Sequence, residues 1–89
     1  MKLPKSQVET DKIYEAVKKA LPPIFARHSL SDLTGGLIHS RTLANKMAKG
    51  EGPPAIRYGR KIGFIREAFM DWLREEDFLR VVSTPEISN

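Results

Sequence analysis

The chain contains no cysteine. That excludes disulfides and thiolate metal ligands, and it is compatible with a reducing cytosol. No apolar run approaches the roughly 20 residues of a membrane-spanning helix, and no signal-peptide core follows the start. Histidine is scarce: His28 and His39 stand eleven residues apart, and without cysteine they do not make a zinc site. There is no nucleophile and base at motif spacing and no glycine-rich phosphate loop after a strand. No enzyme activity and no cofactor are therefore expected. Aromatic residues make up only 8%, with a single tryptophan, so a few large rings must supply much of the core.

What is present is ordinary in amount and uneven in place. Eighty-nine residues make one domain with a modest core. Forty per cent hydrophobic and 29% charged residues suit a soluble globular protein, and the net charge is +4. From Arg27 to Arg66 there are eight basic residues and only two acids, Asp32 and Glu51; the remainder holds seven basic and nine acidic residues. A basic centre between acidic flanks points to a polyanion, unless the charges are simply mixed and solvated.

In chain order, residues 6–21 have helical spacing, with Ile13, Val17, Ala20 and Leu21 on one buried face and Thr10 as N-cap. Residues 1–5 are expected to fray, and Pro22-Pro23 stops the helix. Ile24-Phe25 reads as a brief strand or as a staple into the next helix, Ala26 to Thr34. Gly35-Gly36 ends that helix. Leu37 and Ile38 anchor the turn. His39 or Ser40 then caps a second helix that runs to about Lys49, with Leu43 and Met47 inward and Arg41, Asn45 and Lys49 on another face.

Gly50 to Pro54 is a strong break. Ile56 to Tyr58 and Ile62 to Phe64 alternate as a hairpin, with Ile56, Tyr58, Ile62 and Phe64 inward and Gly59-Arg60-Lys61 as a tight basic turn. Ile65, Ala68, Phe69, Trp72 and Leu73 then trace one face of a closing helix. Glu75-Glu76-Asp77 sit at the end where the helix dipole disfavours acids, so the helix should stop there. Phe78, Leu79, Val81 and Val82 are apolar enough to fold back. The expected division is an N-terminal helical extension over 1–22, a main unit over 23–82 and a disordered tail over 83–89.

Thr34-Gly-Gly-Leu-Ile, Arg41-Thr-Leu-Ala-Asn45, Gly50-Glu-Gly-Pro-Pro54, Gly59-Arg-Lys61 and Trp72-Leu73, in that order, resemble the helix-turn-helix proteins of the excisionase and AlpA type, relatives of the MerR-like winged-helix domains. The resemblance spans roughly Pro23 to Leu73. It implies a mainly α (small α+β) fold: a winged helix-turn-helix with a two-stranded wing, here with an extra N-terminal helix. It also implies a double-stranded DNA-binding protein of a phage or integrative element, cytoplasmic and nucleoid-associated. Such a protein acts either as an architectural factor beside a tyrosine recombinase (integrase), self-associating on DNA, or as a transcriptional regulator. The chain departs from the pattern where Phe64-Ile65 opens the closing helix and where Lys46 takes an often apolar position. Whether Lys46 or Met47 faces the core decides which side of the second helix meets DNA.

Under this reading Arg41 and Asn45 are the candidates for base contacts, since arginine pairs with guanine O6/N7 and asparagine with adenine N6/N7. Ser40 and Thr42 bond phosphate or base edges, or Ser40 caps the helix. Lys46, Lys49 and Arg57 hold phosphates. Arg60 and Lys61 at the hairpin tip suit a minor groove or its flanking phosphates. The competing expectation is a small protein-interaction adaptor that uses the N-terminal helix and the apolar segment after the closing helix.

Overall fold

A computed structural model describes residues 5–79. The expectations for residues 1–4, for Val81 and Val82 and for the tail over 83–89 lie outside them. The described chain is a small α+β arrangement, about half helical. Helix α1 (Lys5–Ala20) leads to strand β1 (Ile24–Ala26), a 3-10 turn (Arg27–Ser29) and the single turn of α2 (Leu30–Leu33). Helix α3 (Ser40–Ala48), strands β2 (Ile56–Tyr58) and β3 (Lys61–Ile65), and helix α4 (Arg66–Glu75) follow. Among the described residues no helix is long and apolar enough to cross a membrane.

The expected two-stranded element is a three-stranded antiparallel sheet in the order β1-β3-β2. Of the two alternatives for Ile24-Phe25, the strand holds: Phe25 pairs with Phe64 and Ala26 with Gly63. Ala26 is thus drawn out of the expected first helix, which shortens to the 3-10 turn and α2. The Arg66 amide donates to the Pro23 carbonyl at 2.8 Å, so the sheet pairing runs straight into the first turn of α4.

One register decides which residues are inside. Tyr58 pairs with Lys61, leaving a two-residue turn, Gly59-Arg60, rather than the expected three. Gly59 has φ +62°, and Arg60 lies outside the left-handed region, the φ signature of a type II′ turn. Because side chains alternate, removing one residue from a turn moves a whole strand to the other face. Ile62 and Phe64 do face the core, but Ile56 and Tyr58 share the outer face with Lys61, Gly63 and Ile65. Ile65, expected inside the closing helix, instead ends β3 and is 47% exposed.

The core is a run of rings on both sides of α4. Phe69 meets Phe25 edge-on at 5.2 Å and 88°, lies 5.3 Å from Phe64, and continues to Trp72 and Phe78. Trp72 also donates its indole N–H to the Glu51 carbonyl at 3.3 Å, fastening the loop after α3. Met70 joins Phe69, Trp72 and Leu73 as a buried residue of α4. The inner face of α1 is rotated from expectation. Tyr14, Val17 and Leu21 are buried, Ile13 is half-buried and Ala20 is exposed. Tyr14 wins the position because its ring packs inward while its hydroxyl finds the backbone of Leu73 and Leu79. Thr10 does not cap this helix, since α1 begins at Lys5. Asp11 and Arg74 pair at 2.9 Å across α1 and α4, and the Arg74 guanidinium lies over the Tyr14 ring at 4.6 Å.

Candidate nucleic-acid interface

The turn between α2 and α3 sets how α3 is presented. Gly36 donates to the Ser31 carbonyl and Gly35 to the Asp32 carbonyl, which closes α2 in a Schellman motif with Gly35 at φ +63°. Thr34 organises the residues that follow. Its hydroxyl lies 2.8 Å from the Leu30 carbonyl and accepts the Ile38 amide at 3.1 Å. Of the two apolar residues expected to anchor the turn, Ile38 does so at 1% exposure, whereas Leu37 faces solvent.

Two side chains close the start of α3. His39 is the N-cap, its Nδ1 accepting the Arg41 amide at 3.2 Å. Ser31 Oγ accepts the Ser40 amide at 3.0 Å. Ser40 is therefore the first helical residue and not the cap. Glu51 N–H to Lys46 carbonyl and Gly50 N–H to Met47 carbonyl end α3 in a second Schellman motif.

The rotation of α3 follows from burial. Leu43 is fully buried, and Met47 packs against the core, its sulfur 3.5 Å from Arg27 Nη1. Met47 thus takes the inward place and Lys46 stands half-exposed on its flank. At about 100° per residue, Arg41 and Asn45 lie roughly opposite Leu43, and both are exposed. Thr42 and Lys49 are exposed beside them on the same side as Lys46, and Ser40 is half-buried at the helix start.

The hairpin supplies a second set of cations. Arg60 is in the turn, and Lys61 opens β3 on the outer sheet face beside Tyr58. Arg57 pairs with Ile62 and so stands on the opposite face, toward the helices. All three are exposed. The structure therefore divides the predicted hairpin cations between two faces.

Not every basic residue of the central stretch is free. Arg66 donates to the Leu21 carbonyl at 3.2 Å and pairs with Glu67 at 3.1 Å. Glu67 also meets Lys18 at 3.4 Å, and the Arg66 hydrogen bond, with Lys18 beside it, holds this carboxyl below the usual range. Arg27 is turned to Met47. The remaining six, Arg41, Lys46, Lys49, Arg57, Arg60 and Lys61, form no ion pair among the described residues. His28 and His39 are both exposed, and no group of three or more His, Asp or Glu able to hold a metal occurs among the described residues.

The residues missed in the sequence are apolar. Ile24, Ile56, Tyr58 and Ile65 are 59%, 43%, 82% and 47% exposed on the outer sheet face. Counting Gly59-Arg60 as a two-residue turn would have found Ile56 and Tyr58. No family model, curated protein or solved structure matches this chain.

Proposed function

We propose that this protein binds double-stranded DNA, with α3 in the major groove and the Gly59-Arg60 hairpin as a wing on the adjacent minor groove or backbone. The carrying observation is the outward row of α3. Arg41 and Asn45 stand opposite the buried Leu43, exposed, and Arg41 forms no ion pair among the described residues. Arginine and asparagine are the side chains that read guanine and adenine edges bidentately. Lys46 and Lys49 flank them on one side, where phosphates border the groove. The helix is held rigidly for such a task, closed at one end by His39 and Ser31 and at the other by the Gly50 turn.

The biological setting rests on the excisionase- and AlpA-type resemblance. It is either architectural binding beside a tyrosine recombinase, with several copies on neighbouring sites, or regulation of a promoter in an integrated element. Tight-binding duplexes selected from a random pool give the substrate for a test by fluorescence anisotropy across a salt series. With six cations available, log K should fall with log salt at a slope no steeper than about −5, at roughly −0.9 per phosphate neutralised. Arg41→Ala should flatten discrimination at one base pair by about 1–3 kcal/mol. Arg60→Ala with Lys61→Ala should weaken all sequences alike and make the slope shallower by about one for each phosphate no longer neutralised. If both variants bind as the parent does, the assignment of the site is wrong.

A further inference from the structure

The outer sheet face is not used by the proposed reading of α3, and it is the most apolar exposed surface among the described residues. Cross-strand pairing puts Ile24 beside Ile65 and Ile56 beside Gly63, all on the side away from the core. Gly63 makes a dent between them. A Cβ built there would point at Ile56, 3.6 Å from its Cγ1, and would crowd the Phe25 carbonyl at 3.1 Å. The result is a groove of about 300 Å³ with Ile24, Ile56, Tyr58 and Gly63 in its lining and Lys61 at its hairpin end. That volume suits one or two large side chains and lies at the bottom of the range for small-molecule sites.

Charge identifies the occupant. The three strands contain no acidic residue, and Lys61, which is exposed, borders the groove at its hairpin end through its aliphatic stem, with Arg60 next to it in the turn. Lys61 forms no ion pair among the described residues. A groove lined almost wholly by apolar atoms and bordered at one end by the exposed Lys61 complements a large apolar side chain with a carboxylate just beyond it. Apart from Lys61 its lining is aliphatic and aromatic, a poor match for a phosphate backbone, which needs several donors. An aromatic and aliphatic centre with a charged rim is also the common anatomy of a protein interface.

We propose that this outer face docks a short segment of a partner protein bearing one or two large apolar side chains and an adjacent aspartate or glutamate. The carboxylate meets Lys61, and an apolar side chain fills the dent over Gly63. The surface is separate from the outward row of α3 but shares Lys61 with the proposed wing, so it is Ile56 and Tyr58, which the DNA reading does not use, that separate the two.

The test uses the full chain, immobilised, to select from a displayed library of random 12-residue peptides. Selected peptides are then titrated against the labelled protein by NMR. Expected are sequences enriched in large apolar residues next to Asp or Glu, with shifts at Ile24, Ile56, Tyr58 and Gly63. Lys61→Glu should weaken these peptides tenfold or more and strengthen versions in which the acid is replaced by lysine. Ile56→Thr with Tyr58→Thr keeps strand-forming residues and should abolish binding without changing the folded spectrum. Three results overturn the proposal. The first is a set of peptides that map to another surface or show no preference for acid. The second is a dimer in light scattering that Ile56→Thr with Tyr58→Thr dissolves, which gives the face to a second copy. The third is a DNA duplex that shifts the same four residues, which gives it to nucleic acid.

Discussion

The hydroxyl of Tyr14 accepts the amide hydrogen of Leu79 at 3.0 Å, joining α1 to the segment beyond α4. The same hydroxyl lies 3.2 Å from both the Leu73 and the Leu79 carbonyls, so its own proton also has acceptors in reach. Tyr14→Phe keeps the ring in the core but leaves a buried N–H without its partner. The expected cost is about 1–3 kcal/mol in urea denaturation. An unchanged midpoint would mean that the bond contributes nothing to stability.

Thr34 makes a second prediction through the turn before α3. Its hydroxyl bridges the Leu30 carbonyl and the Ile38 amide. Thr34→Val preserves the side-chain shape and removes both hydrogen bonds, which should destabilise by about 1–2 kcal/mol. Thr34→Ser should recover most of that loss. A Thr34→Val variant as stable as the parent and more stable than Thr34→Ser would show that shape and not hydrogen bonding matters at this position.

Two helix ends test the left-handed C′ position. Gly35 has φ +63° with open space where a Cβ would go, so Gly35→Ala isolates the backbone penalty, about 1 kcal/mol. Asp77 holds the same position after α4 at φ +54°, with Phe78 N–H to Leu73 carbonyl and Asp77 N–H to Arg74 carbonyl completing the motif. Asp77→Gly and Asp77→Ala both remove the carboxylate and differ only in the backbone penalty, so the glycine variant should be the more stable of the two by about 1 kcal/mol. Equal melting temperatures for the two Asp77 variants would contradict this.

Glu67 gives a pH dependence. Its carboxyl is held below the usual range, first by the hydrogen bond from Arg66 and then by Lys18. A group with a depressed native pKa stabilises the fold fully above its unfolded value, and that contribution is lost as pH falls through the native value. The parent should therefore lose Tm more steeply than Glu67→Gln as the solution is acidified below the ordinary carboxylate range. Because the site is exposed, the difference should be small and should shrink in high salt. Parallel curves at low salt would show that the two cations do not stabilise the fold through Glu67.

The signals that could be read from the sequence were local ones. The positions of α1, α3 and α4 follow from apolar spacing, and the breaks at Gly35 and Gly50 follow from glycine's access to positive φ. The outward set of α3 was equally visible in Arg41, Asn45 and Lys49 at four-residue spacing. What stayed hidden depends on partners far along the chain. Nothing near Ile24-Phe25 announces that β3, some forty residues later, will pair with it. The inward place of Tyr14 depends on polar backbone groups at Leu73 and Leu79. The hairpin shows how small an ambiguity suffices, since one residue of turn length put Ile56 and Tyr58 on the wrong face.

Strand β3 ends at Ile65 and α4 begins at Arg66, with no residue between them. The central strand thus passes straight into the helix that carries Phe69 and Trp72, and the Arg66 amide is held to the Pro23 carbonyl at that junction. A load applied at Arg60 has no linker at this junction in which to dissipate. The hairpin tip is therefore joined to the ring stack of the core by one continuous run of strand and helix.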